Sequence, residues 1–153
     1  MKGQGTVTLC AAEDERRPSF VLGLGCRRGS EAGLLLALAE SVLAEAVLTG
    51  LAGAAEAIRP SAVASLDRRA AEPALLAVAA HYAVPLLTFP ADRLEAETPR
   101  LASPSARVHA ATGCHGVAES AALAAVGSAG WLAVPKRIGR DATAALAAVR
   151  EDL

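Results

Sequence analysis

Along this chain, short apolar runs bounded by glycine and proline alternate with longer stretches in which apolar residues recur every three or four positions. The run SFVLGLG, residues 19–25, follows Pro18 and is punctuated by glycines, the pattern of a strand buried on both faces. Ser30 is placed to cap a helix reaching to about residue 49, with Glu31 complementing its positive end. In that segment Glu40, Ser41, Glu45 and Thr49 form a polar stripe opposite Leu35, Leu38, Val42, Leu43 and Ala46, and Gly50 ends it. A small amphipathic piece, AAEAIRP, precedes a second buried strand, AVASL at 62–66, with DRR at its carboxyl end. Pro73 opens the helix PALLAVAAHYA, PLLTF at 85–89 is a third strand, and residues 92–97 make one helical turn. RVHAAT at 107–112 reads as another short strand, and the loop 113–116 leads into the helix VAESAALAAV, which stops at Gly127. WLAV at 131–134 is a late strand, and Asp141 is read as the cap of a final helix, ATAALAAV.

Strands alternating with helices predict an α/β fold, a three-layer sandwich with a largely parallel central sheet of about four to five strands. Ligands of such sheets sit beyond the carboxyl ends of the strands. The loops expected there are 25–30, 67–70, 111–116 and 135–140, and they hold Arg27, Arg28, Arg68, Arg69, Lys136, Arg137 and Arg140 against a single acid, Asp67. Independent loops have no structural reason to share a sign, so the recurrence predicts a polyanion site. Arginine suits it, because its planar fork binds a carboxylate or phosphate through two parallel hydrogen bonds. Helix N-termini after Gly29 and Gly116 add backbone donors. The stretch GLGCRRGS resembles a dinucleotide turn only superficially: its spacing is GxGxxxG, and the first acid after the second strand, Asp67, is followed by two arginines.

Composition removes other classes. The chain has 153 residues, enough for one domain, with residues 1–17 as an N-terminal extension, and 53% of its residues are hydrophobic with only 3% aromatic. That leaves no aromatic platform for stacking nucleobases. Fifteen Lys and Arg against sixteen Asp and Glu give a net charge of −1, so no overall field draws the chain to nucleic acid or an anionic membrane. The apolar stretch 32–39 ends at Glu40, well short of a bilayer span, and the N-terminus carries no signal-peptide core; a cytoplasmic protein is expected. Cys10, Cys26 and Cys114 form no CxxC pair, so reduced thiols and no resident metal or cofactor are expected. Three ligands drawn from Cys26, Cys114 and His115 lack the spacing of a metal motif. His81 and His109 read as structural or surface residues, whereas His115 sits in TGCHG just before a helix, beside Cys114, whose thiol a helix N-terminus would acidify. Glu119, in the first turn of that helix, either complements its dipole or orients water or a ligand group.

Taken together and in order, GLGCRRGS, ASLDRRAAEPALLAVA, PLLTFPADRL, PSARVHAATGCHGVAESAAL and LAVPKRIGRDATAALA resemble a cobalamin biosynthesis family. It comprises the stand-alone protein CobE and the C-terminal domain of the cobalt-precorrin-5A hydrolase CbiG. The resemblance covers about residues 19–149, and GLGCRRG with TGCHGVAESAAL is its most specific part. It implies a role in building the corrin ring, whose intermediates carry a fringe of acetates and propionates suited to several arginine loops. It further implies a tetrapyrrole or corrin intermediate as partner, alongside other cobalamin-biosynthesis enzymes. The hydrolase has further N-terminal sequence, whereas only about 18 residues precede the first strand here. That favours a carrier or accessory protein of the aerobic pathway, binding a hydrogenobyrinic-acid-like corrinoid. The alternative is a hydrolase that opens the ring-A lactone and releases acetaldehyde, with His115 or Glu119 as catalytic residues assisting water. The expected ligand-binding set is Gly25, Cys26, Arg27, Arg28, Ser30, Asp67, Arg68, Gly113, Cys114, Lys136 and Arg137.

Overall fold

The computed structural model describes residues 18–50 and 58–150. Residues 54–57 of the expected AAEAIRP piece, and the N-terminal 1–17, lie outside the described residues. The elements in order are β1 (Ser19–Cys26), α1 (Ala32–Leu48), β2 (Ala62–Leu66), a 3-10 turn (Asp67–Arg69), α2 (Pro73–Tyr82), β3 (Leu86–Phe89), α3 (Ala91–Glu95), a second 3-10 turn (Thr98–Arg100), α4 (Ala106–Thr112), α5 (Val117–Val126), β4 (Trp131–Gly139) and β5 (Ala142–Val149). One five-stranded sheet has the order β3-β2-β1-β5-β4. β1 pairs in parallel with β2 and β2 with β3, while β5 runs antiparallel to both β1 and β4. β4 therefore points the same way as β1 to β3, and β5 alone runs against them. The α/β sandwich with a largely parallel sheet expected from the sequence is present, β5 being the one strand that runs the other way among the described residues.

Alternation along β1 divides the core. Phe20, Leu22 and Leu24 face α1 and α2, joined by Ala144, Leu146 and Ala148 of β5. Val21 and the glycines face the other layer, built on α5. A Cβ at Gly23 would overlap the carbonyl oxygen of Ala118 and stand 2.9 Å from the Ala122 methyl, so the helix backbone rests directly on the strand. Burial takes in every residue from Ala118 to Ala124, so α5 is enclosed on all sides.

Two elements differ from the sequence reading. ATAALAAV is the strand β5, not a helix: each of its eight residues is in register with β1, from Cys26 opposite Ala142 to Ser19 opposite Val149. Alanine's helix propensity is a few tenths of a kcal/mol per residue, and a full ladder on both edges outweighs it. Asp141 accordingly caps no helix. It occupies the two-residue turn between β4 and β5 with φ +57°. RVHAAT lies in helix α4, not in a strand. The Ser105 hydroxyl caps it by accepting from Val108 N at 3.2 Å, Gly113 closes it at φ +89°, and Arg68 donates to the carbonyls of Ala111 and Thr112 at 3.1 and 3.2 Å. Ser30 does not cap α1 either. Its hydroxyl donates to the Arg27 carbonyl at 2.7 Å, and Glu31 takes the cap position without a side-chain bond. Pro73 does open α2, and α1 ends at Thr49 and Gly50.

The contact at Gly23 gives a stability test. Gly23→Ala is expected to destabilise the protein by about 1–3 kcal/mol, because the methyl group must displace α5. Gly33→Ala, in the first turn of α1 with nothing within 4 Å of the added methyl, is expected to stabilise by about 0.4–1 kcal/mol. Urea denaturation of both variants measures the difference.

Candidate functional site

The carboxyl end of β1, the N-terminus of α5 and the β4–β5 turn meet at one edge of the sheet. An open cleft of about 340 Å³ lies there, lined by Gly25, Cys26, Arg27, Val108, Gly116, Val117, Lys136, Ile138 and Gly139 together with Asp141, Ala142 and Thr143. A smaller recess of about 120 Å³ continues from it past Cys26 and Val117 to Arg68, Arg69, Ala111 and Thr112. Gly25 keeps the floor low, since a Cβ there would come within 2.8 Å of Thr143 Oγ1 and 3.3 Å of Val117 Cβ. Ile138, 75% exposed, gives the cleft an apolar wall. Gly116 begins α5 without any side-chain cap, leaving that end of the helix positive toward the cleft.

The turn that follows β1 is held from three sides. Ser30 N donates to Arg27 O at 3.2 Å with Gly29 at φ +80°, Gly29 N donates to Glu72 Oε2 at 2.9 Å, and Arg27 N donates to Asp141 O at 3.1 Å. Arg69 Nε donates to Cys26 O at 3.0 Å, tying the end of β1 to the turn after β2. The arginines themselves point outward. Arg27 is 82% exposed, with only a 3.7 Å ion pair to Asp141, and Arg28 and Arg140 are exposed without a charged partner among the described residues.

The basic edge expected from the sequence is thus brought together only in part. Arg27 and Lys136 line the cleft and Arg28 and Arg140 flank it in the adjoining turns, with the Lys136 ammonium 3.3 Å from Ser103 O. Arg68 and Arg69 spend their guanidinium groups on backbone carbonyls. Arg137 turns to α1 and forms a two-bond ion pair with Glu45, holding that carboxyl below the usual range. Asp67 is exposed at the start of its 3-10 turn, and Gly113 serves as the αL end of α4. The edge also holds acids that the loop inventory missed, Glu72 and Asp141. Arg107, exposed on α4 beside the cleft-lining Val108, was missed as a cation because its segment reads as a strand.

The candidate reactive groups sit differently from expectation. Glu119 is 1% exposed, and its Oε1 accepts from Ala102 N and Ser103 N, both at 3.2 Å, while Oε2 accepts from Lys136 N at 2.8 Å. Pro135 and the register shifts around it take Lys136 N out of the ladder, and Glu119 collects it. The carboxylate therefore clamps β4 and the loop before α4 onto α5. His115 lies in the loop before α5, its ring Nδ1 within 2.9 Å of Glu95 Oε2, and its partner's carboxyl is held below the usual range by that hydrogen bond. Cys114 is fully buried among Val21, Ala62 and Leu94, its Sγ 3.4 Å from Thr112 Oγ1. Cys26 reaches the cleft, but burial pushes its thiol up, and the Glu72 carboxylate adds to the shift. Cys26 is thus a poor nucleophile at neutral pH. Among the described residues, no helix is long and apolar enough to cross a membrane.

Comparison with known proteins bears on the family and the fold. The family described as Cobalamin synthesis G C-terminus matches residues 20–147. Protein CobE of Sinorhizobium sp. is 53% identical over 128 residues, covering 84% of this chain and 79% of that protein. The crystal structure of CobE, a protein from the cobalamin biosynthetic pathway, superposes with a TM-score of 0.73 at 34% identity, over 86% of this chain and 91% of that one. The structure of cobalamin biosynthesis protein chiG from Agrobacterium tumefaciens gives a TM-score of 0.56 at 27% identity, over 87% of this chain and 99% of the other.

Two outcomes follow from the geometry. Glu119→Gln, which replaces one acceptor oxygen by a donor facing backbone N–H groups, is expected to destabilise by about 1–3 kcal/mol in urea denaturation. Site-resolved mass spectrometry after iodoacetamide treatment is expected to find Cys26 alkylated slowly at pH 7, with the rate climbing only above the ordinary thiol range.

Proposed function

This chain belongs to the Cobalamin synthesis G C-terminus family, and from that membership we propose that it binds a polycarboxylate corrinoid at the carboxyl edge of β1. It acts there as a cytoplasmic carrier or accessory factor of cobalamin synthesis. The observation that carries this reading is the composition of the cleft: an apolar wall of Val108, Val117 and Ile138 beside a rim holding Arg27 and Lys136. A flat macrocycle with a carboxylate fringe needs both parts. Its faces lose water against the apolar side chains, and its side arms meet guanidinium and ammonium groups that have few competing partners. The uncapped N-terminus of α5 adds backbone donors on the same side. The cleft is open and too small to enclose a whole ring, so the ligand lies across it with one edge engaged. That geometry suits transfer to another enzyme of corrin synthesis. A hydrogenobyrinic-acid-like intermediate, rich in free carboxylates, is the best-matched member of the class.

Neither group named for hydrolysis faces the cleft unencumbered. Both oxygens of Glu119 are taken by backbone amides, and the His115 ring is paired with Glu95. Binding without bond cleavage therefore accounts for the site most directly.

The test is spectroscopic titration of the purified chain with hydrogenobyrinic acid. Arg27→Glu/Arg28→Glu is expected to weaken binding by about tenfold or more, equivalent to about 1.4 kcal/mol, and to flatten its salt dependence. Arg137→Met, whose partner is Glu45 on α1, is expected to leave the affinity within about twofold on the scale of surface ion pairs. Unchanged affinity in the double variant overturns the reading, and acetaldehyde released from cobalt-precorrin-5A by the wild-type chain would replace it with hydrolysis.

A further inference from the structure

Side chains from α3, α4 and the loop before α5 converge, the latter two next in sequence to the cleft-lining Val108 and Gly116. Glu95 is the last residue of α3, His109 lies in the middle of α4, and His115 stands just before α5. Their ligand-type atoms all lie within 4.8 Å of one another. The two imidazoles are stacked, with ring centroids 4.3 Å apart and planes 20° from parallel, and His115 Nδ1 is 2.9–3.0 Å from both oxygens of Glu95.

The backbone fixes this arrangement. Ser105 N donates to His115 O at 2.8 Å, and His109 N donates to Ser105 O at 3.0 Å, so one residue holds both histidine backbones. His115 N donates to Glu95 Oε1 at 3.0 Å, which anchors the carboxylate to the same loop. His109 is exposed, and its ring has no hydrogen-bond partner among the described residues. Two imidazoles and one carboxylate from separate segments are thus brought together, one pair stacked and one hydrogen-bonded. The hydrogen bond between His115 and Glu95 explains one ring; nothing in the packing calls for a second imidazole laid over it.

We propose that Glu95, His109 and His115 form a binding site for a divalent transition-metal ion of borderline softness, such as Zn²⁺, Co²⁺ or Ni²⁺. Nitrogen and oxygen ligands at about 2.0–2.2 Å from a tetrahedral ion stand roughly 3.3–3.5 Å from each other. The donor atoms lie up to 4.8 Å apart, and imidazole lone pairs lie in the ring planes, so binding requires the near-parallel rings to rotate until their nitrogens converge on the ion. Imidazole favours these ions over Mg²⁺ and Ca²⁺, which prefer all-oxygen ligands. Three protein ligands leave at least one coordination position for water or an incoming carboxylate. The site stands apart from the corrinoid reading: it is built from side chains that do not line the cleft, and it holds or fails whether or not a corrinoid binds.

The test uses the full chain, stripped with a chelator and titrated with Co²⁺, whose visible bands separate a four- or five-coordinate nitrogen site from the aquated ion. Zn²⁺ is followed in parallel by calorimetry. One ion per chain is expected, with affinity falling about tenfold or more in His109→Ala and in His115→Ala, since removing even an outer partner of a metal ligand costs about 10–100-fold. Cys10→Ser and His81→Ala, which remove the thiol in the N-terminal segment and the remaining histidine, are expected to bind as the parent does. His109 is exposed, so its variant stays folded by circular dichroism and decides the matter if His115→Ala does not. Absence of stoichiometric binding, or binding unchanged in His109→Ala, overturns the proposal. Corrinoid titration of the same variants reports separately on the cleft.

Discussion

Direct contact between α5 and β1 sets the rest of the molecule. Gly23 has no side chain because the Ala118 carbonyl occupies that space, and the neighbouring positions are small for the same reason. Ala145 is paired with Gly23 and Ala147 with Val21, so the stretch of β5 that shares this face is alanine. The abundance of alanine in this chain is therefore less a helix signal than the consequence of a helix lying close on a sheet, where interior packing density leaves no room for longer side chains. The same approach carries the N-terminus of α5 to the end of β1 and puts Gly116 and Val117 in the wall of the cleft.

A helix so enclosed needs its polar neighbours satisfied, and charged side chains do much of that. Glu119 binds three backbone amides at one end of α5. At the other end Arg100 donates to the carbonyls of Leu123, Gly127 and Gly130 at 3.0–3.3 Å while paired with Glu97. Burial alone would raise the Glu97 carboxyl, but hydrogen bonds from Arg93 and Arg100 hold it below the usual range. Backbone groups left unpaired inside the protein would each cost about 1–3 kcal/mol, so these charges are part of the frame. Arg69 and Glu72 play the same part at the end of β1 and in the turn after it, and Arg68 does so at the end of α4.

This explains what the sequence made legible and what it did not. The apolar runs of β1, β2 and β3 and the helices opened by Pro73 and closed by Gly50 and Gly127 can be read locally, because their boundary residues act locally. β5 cannot: its eight residues have no strand signal of their own and are strands because β1 and β4 pair with them on both sides. α4 was misread although its boundaries are local: Ser105 caps it and Gly113 closes it, and Arg68 only adds bonds to its last carbonyls. At the site, the expected loops 25–30 and 67–70 are turns, but 135–140 lies mostly within β4 and 111–112 ends α4, so neither the element nor the destination of Lys136 and Arg137 was legible. Nothing near Arg137 in sequence announces Glu45. Glu119 sits in the first turn of a helix, as dipole arguments favour, yet its partners are amides on β4 and in the loop before α4.

Once the structural charges are set aside, the cations left at or beside the cleft are Arg27, Arg28, Arg107, Lys136 and Arg140 among the described residues. In a chain of net charge −1 several acids are engaged away from the rim, Glu45 by Arg137, Glu97 by Arg93 and Arg100 and Glu119 by backbone amides, while at the edge itself Glu72 accepts from Gly29 N and Asp141 pairs with Arg27. The segment from α4 to α5 then serves two surfaces with alternate residues. Val108 and Gly116 face the cleft, while their neighbours His109 and His115 turn to Glu95. Ser105 holds both histidine backbones, so the shape of the cleft wall and the spacing of the three donors rest on the same few hydrogen bonds.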